Sequence, residues 1–120
     1  SSELFTEIEP NLDLEFDPKM MYALRHLDKY PIEINNASYE ELLRIPGLGV
    51  ISAQRIIRER KNAELSYDSL KKMKTVLKRA KYFITVKGKY FGNTKFDSDA
   101  IKSEIRTKEI QKQISIFELL

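Results

Sequence analysis

The stretch IPGLGVISAQR, residues 45–55, sets two glycines one residue apart after a proline, with an apolar helical pattern on each side. Ahead of it Ser38 and Glu41 form a capping-box pair, and Tyr39, Leu42, Leu43 and Ile45 recur at helical spacing until Pro46. The pattern restarts near Val50 and puts Ala53, Ile56 and Ile57 on one face, with Arg55, Arg58 and Lys61 toward solvent and Arg55 a candidate phosphate contact. Such an interruption confines the chain to two short helices joined by a tight turn, because glycine permits positive φ and a close approach that a Cβ would obstruct. The turn is also the start of the second helix. Its amides, from Gly47 through Leu48, Gly49, Val50 and Ile51 to Ser52, face outward without intrahelical acceptors at the positive end of the helix dipole. That arrangement suits a phosphate and reads no base. The carbonyls of Gly47–Gly49 are a candidate seat for a monovalent cation.

The rest of the chain reads as further short helices, and the expected fold class is all-α. Asp17-Pro18 places an N-cap acid before a proline at the first helical position, predicting a helix over about 18–28 with Met20, Met21, Leu24 and Leu27 on one stripe, stopped by Pro31. PIEIN is extended. Ser66 caps a fourth helix through Leu70 and Met73, and a fifth from about Thr75 is expected to bury Val76, Leu77, Ala80, Phe83 and Ile84. ITVKGKYFG suggests a small hairpin turning at Lys87-Gly88, and DSDAIKSEIRTKEIQKQ a short helix packing through Ile101, Ile105 and Ile110. Three segments are expected: an acidic linker over residues 1–16, a helical domain over 17–91, and a loose C-terminal extension over 92–120.

Charge supplies the functional direction. The net charge of +3 conceals a segregation: residues 1–17 hold six acids and no base, whereas residues 46–96 hold thirteen bases against Glu59, Glu64 and Asp68. A field concentrated this way points to a polyanionic partner, with nucleic acid foremost. In KKMKTVLKRAK, residues 71–81, Lys71, Lys74, Lys78 and Lys81 would share a face of a continuous helix and are read as phosphate contacts together with Thr75 and Arg79. Four to six such contacts imply a salt slope of about −4 to −5 and roughly micromolar affinity. Tyr82 and Phe83 face the expected core and are read as packing residues in preference to base-stacking ones. The chain has no cysteine and a single histidine, His26, so it offers neither a thiolate cluster nor a histidine metal site of its own. No run reaches a membrane span and the acidic opening is no signal peptide, so a cytoplasmic location is expected.

INNASYEELLRIPGLGVISAQRIIRER resembles the helix-hairpin-helix motif, with the Asn-x-Ala approach, Leu42 and Leu43, Pro46-Gly47-Leu48-Gly49, Ala53 and Ile56 in matching places. YDSLKKMKTVLKRAKYFI resembles a second, degenerate copy offset by 27 residues: Leu70 answers Leu43, Ala80 answers Ala53, and Lys74 and Val76 stand where the glycines would be. A tandem of this kind implies a module gripping the duplex backbone, with Lys78 and Arg79 substituting side-chain contacts for the less well presented amides of the second copy. Residues 17–86, through DPKMMYALRH and LKRAKYFIT, are also similar to the C-terminal region of bacterial DNA modification or repair radical SAM proteins, often linked to uracil-DNA glycosylase. That resemblance implies an upstream domain in cis carrying an iron–sulfur cluster and S-adenosylmethionine, for which this chain would be the DNA anchor.

Catalysis by the chain itself is not expected. Helix-hairpin-helix glycosylases carry a nucleophilic lysine two residues past the second glycine, where this sequence has Ile51, which cannot form a Schiff base. Asp68, near the place of their aspartate, reads as a solvent-facing acid in a first helical turn. In the tail, QISIF resembles the bacterial sliding-clamp binding peptide, which makes Gln113, Ile114, Ile116 and Phe117 candidate clamp contacts. The rival to DNA binding is therefore a protein-interaction scaffold acting through this tail or through the acidic leader.

Overall fold

A computed structural model describes residues 17–119, so the expected linker over 1–16 lies outside the described residues apart from its junction at Asp17. Helix α1 (Pro18–Arg25) begins where Asp17 caps it, its carboxylate accepting from the amides of Lys19 and Met20. The expected longer helix stops there, and a 3-10 turn, Leu27–Lys29, leads into strand β1 (Ile32–Glu33). Helix α2 (Tyr39–Leu43) carries the full capping box of Ser38 and Glu41. Helix α3 (Val50–Glu59) follows the glycine turn, and helix α4 (Tyr67–Lys72) starts at Ser66, whose box partner is Ser69.

The expected fifth helix from Thr75 is replaced by a single 3-10 turn, Ala80–Tyr82. The reason is local. Helix α4 ends in a Schellman arrangement: the Thr75 amide donates to Leu70 O at 3.1 Å, the Lys74 amide to Lys71 O at 2.9 Å, and Lys74 takes φ 59°. Between that cap and strand β2 (Ile84–Val86) the chain holds turns and the one 3-10 piece, and Val76 is left exposed at 58%. Because Lys74 no longer belongs to a continuous helix, Lys71, Lys74, Lys78 and Lys81 do not form a helical stripe.

Strands correct the all-α expectation: the described chain is mostly helical, with five α-helices and a small three-stranded sheet. β1 pairs in parallel with β2, Ile32 opposite Ile84, and β2 pairs antiparallel with β3 (Lys89–Tyr90). The β2–β3 connection turns at Lys87 (φ 55°) and Gly88 (φ 79°), the two positive values that a two-residue hairpin requires. The parallel pair joins the segment before α2 to the segment after the 3-10 turn Ala80–Tyr82, so the sheet closes the domain like a clasp.

Glu33 fastens this clasp. Its carboxylate accepts from the amides of Asn35 (3.0 Å), Lys87 (3.2 Å) and Gly88 (2.7 Å) and from Thr85 Oγ1 (3.1 Å). Burial alone would raise its pKa, but hydrogen bonds from Asn35, Gly88, Thr85 and Lys87 outweigh that and hold it below the ordinary carboxylate value. A lowered folded pKa stabilises the fold above the ordinary glutamate range, and this contribution disappears as pH falls through the folded value. Glu33→Gln should therefore cost about 1–3 kcal/mol at neutral pH, with the difference from the parent shrinking below pH ~4, read by chemical denaturation at several pH values.

The core gathers Met20, Leu42, Ile45, Leu48, Ala53, Ile56, Leu70, Ala80, Tyr82, Phe83 and Ile84. Tyr82 and Phe83 are both buried, in agreement with their reading as packing residues. Helix α5 (Ser98–Leu119) is longer than expected and takes in the clamp-like residues Gln113–Phe117. Its first turns dock through Ile101 and Ile105, which are core residues, so this part of the extension is packed on the domain and not loose. Ile110 does not share their burial. It lies about two and a half turns past Ile101, on the opposite side of the helix, where Ile114 and Phe117 continue a second, exposed stripe.

Candidate nucleic-acid interface

The glycine turn is built by a division of labour between its residues. Gly47 has φ 88°, a conformation costly to any side chain, and a Cβ there would stand 3.6–3.7 Å from Val76 O, Arg79 Cβ and the Ala80 amide. Its equivalent in the second copy is Lys74, also at positive φ. The two turns share this backbone sign, yet Gly47 falls nine residues past the Ser38 cap and Lys74 eight past Ser66, so the 27-residue offset does not extend to the caps. Gly49 differs from the expectation of positive φ: it is extended, at φ −102°, and a Cβ on it would meet nothing within 4 Å. What it leaves is open space at the start of α3.

That start is uncapped. Asp17, Ser38 and Ser66 satisfy first-turn amides of α1, α2 and α4 with side-chain oxygens, whereas the N-cap of α3 is Gly49, which has none to offer. The first-turn amides of Val50, Ile51 and Ser52 therefore belong to an end that is solvent-facing and positive by its dipole. Val50 and Ile51 are exposed, Ile51 at 80%, and Val76 is exposed on the adjoining turn. The Val76 carbonyl lies 3.7 Å from where a Gly47 Cβ would stand, which sets the second turn against the glycine turn.

Other expected contact residues have structural duties. Leu48 is buried, its amide donates to Ile45 O at 3.1 Å, and its carbonyl accepts from Lys19 Nζ. An ammonium group of the chain thus stands at the carbonyls considered for a monovalent cation. Burial lowers the pKa of Lys19, against the opposing effect of the Asp17 charge. Thr75 is buried with its amide engaged in the α4 cap. Arg55 donates to Met73 O at 2.6 Å, joining α3 to the second turn while remaining exposed. Arg79, only 15% exposed, bridges Asp17 at 3.1 Å, and Lys78 bridges Glu109 at 2.7 Å. Exposed Lys74 and Val76 flank the glycine turn.

The pairings of Lys19 with Leu48 and of Asp17 with Arg79 were not legible in the sequence, since the partners lie some thirty and sixty residues apart. Ile51 sits on the exposed first turn of α3 and Asp68 on that of α4. No helix among the described residues is long and apolar enough to cross a membrane.

The profile of the helix-hairpin-helix motif matches residues 28–81, from the 3-10 turn after α1 through the second turn. No curated protein and no solved structure matches the chain. Residues 28–81 thus contain a helix-hairpin-helix motif, and that motif supports nucleic-acid binding.

Proposed function

We propose that the domain binds duplex DNA through backbone phosphates without reading base sequence, the glycine turn and the start of α3 receiving one strand. The observation that carries this reading is the uncapped, exposed helix start at Gly49–Ser52 within a matched helix-hairpin-helix motif. Lys74 and the basic surroundings of the second turn add side-chain contacts beside it. The chain supplies attachment, and chemistry would come from elsewhere. On the resemblance of residues 17–86, that source is a radical SAM domain in cis, with its iron–sulfur cluster and S-adenosylmethionine, in the bacterial cytoplasm. Fluorescence anisotropy of the domain with a short duplex, titrated across salt, tests the reading. Micromolar binding that falls with a log–log slope of about −4 to −5 is expected; salt-insensitive binding, or none at low salt, contradicts it.

A second reading has its own observation. Ile114, Ile116 and Phe117 are more than half exposed on the outer end of α5, beside Gln113. This supports a protein contact there, and the likeness to the clamp-binding peptide names the bacterial sliding clamp as its candidate. A peptide of residues 108–120 that fails to bind purified clamp would remove this reading and leave DNA binding untouched.

A further inference from the structure

Helix α5 lies outside the matched motif yet reaches the second turn. Glu109 Oε1 stands 2.7 Å from Lys78 Nζ, and between the 3-10 turn and α5 runs a cleft of about 140 Å³ lined by Lys78, Lys81, Tyr82, Ile105, Lys108 and Glu109. At roughly 30 Å³ per water the volume equals four to five waters, room for a tetrahedral oxyanion. Three of its six lining residues are lysines. The Glu109 carboxyl is held below the ordinary range first by its hydrogen bond from Lys78, then, against a burial effect, by the charges of Lys78, Arg79 and Lys112. Glu104 approaches Lys108 at 3.9 Å from the same helix, and its side chain is one-third exposed. Even counting both acids, positive charge exceeds negative, and the anionic oxygen now held by Lys78 is the chain's own.

Resting on the DNA reading above, we propose that this cleft is a further phosphate site of the same surface, in which Glu109 acts as an internal stand-in that a backbone phosphate displaces. Lys78 exchanges a carboxylate for a phosphate oxygen, and Lys81 and Lys108 neutralise the added charge. Lys78 lies only two residues past exposed Val76 of the second turn, so the strand proposed for that turn is the source of phosphate to which the proposal commits. Helix α5 thereby becomes part of the DNA footprint.

The test uses the full chain with Glu109→Gln, Lys108→Gln and, as a charge-matched control far along the same helix, Glu118→Gln. Duplex affinity and its salt slope are read by anisotropy, and each fold is checked by thermal melting. Glu109→Gln should tighten binding about three- to tenfold at low salt and steepen the slope by ~0.9, since the cleft then meets the phosphate with one negative charge fewer and no carboxylate to displace. Lys108→Gln should loosen binding and make the slope shallower by a similar amount, while Glu118→Gln changes the affinity less than about twofold at constant slope. Equal effects of Glu109→Gln and Glu118→Gln, with no change of slope, would overturn the proposal and leave the hairpin reading standing. NMR supplies the other arm: inorganic phosphate shifting the Lys108 and Glu109 amides where duplex does not would make the cleft a free-anion site and also overturn it. Parent protein that binds no duplex at all would overturn both readings together.

Discussion

Gly49→Glu should weaken duplex binding tenfold to a hundredfold, about 1.4–2.7 kcal/mol, while leaving the domain folded. Gly49 is extended and a Cβ there meets nothing within 4 Å, so the substitution is sterically free. The new carboxylate stands at the N-cap of α3, where it is attracted to the helix dipole and covers the amides that a phosphate would use. Gly49→Ala, which adds volume without charge, should retain most of the affinity. Gly47 is a poorer choice for this test: its φ of 88° strains any side chain, so a substitution there alters the turn as well as the charge. Anisotropy for binding and circular dichroism for folding separate the two effects. A folded Gly49→Glu variant with parental affinity would mean that DNA, if bound, approaches elsewhere.

Phe83→Ala should cost about 3–5 kcal/mol, a large share of the 5–15 kcal/mol typical of a domain. The ring is fully buried and meets Tyr30 edge-on at 5.6 Å between centroids, while the Phe83 carbonyl accepts from the Ile32 amide at 2.9 Å. Phe83 therefore joins the end of the second hairpin to the strand before the first. Its loss opens a cavity where the two halves of the tandem meet, and Phe83→Leu, which refills part of it, should recover some of the loss. Urea denaturation measures both. A cost below about 1 kcal/mol for the alanine variant would mean that the clasp contributes little to holding the hairpins together.

What the sequence disclosed follows from the reach of each interaction. Asp17, Ser38 and Ser66 mark helix starts correctly because a cap is completed within three residues. The turn at Lys87-Gly88 was legible for the same reason. The β1–β2 pairing was not, since Ile32 and Ile84 are 52 positions apart and each strand is two or three residues long. The fifth helix was misjudged because its apolar spacing matches a helix, whereas the left-handed backbone at Lys74 that ends α4 is marked by no glycine. Helix α5 appeared short because its two apolar stripes lie on opposite sides, so no single face runs its length. At the glycine turn, the break between two helices was legible from the glycine spacing, whereas the burial of Leu48 and the extended backbone of Gly49 were not. The internal partners of Arg55, Lys78 and Arg79 were not, because Met73, Glu109 and Asp17 come from distant segments.

The most direct test of phosphate binding at the glycine turn is a proton–nitrogen NMR titration of the full chain with a short duplex at low salt. The account predicts that the amides of Gly49, Val50, Ile51 and Ser52 shift most, followed by those near Lys74 and Val76. Shifts confined to residues 110–119, or none at low salt, would contradict it and turn attention to a protein partner of helix α5.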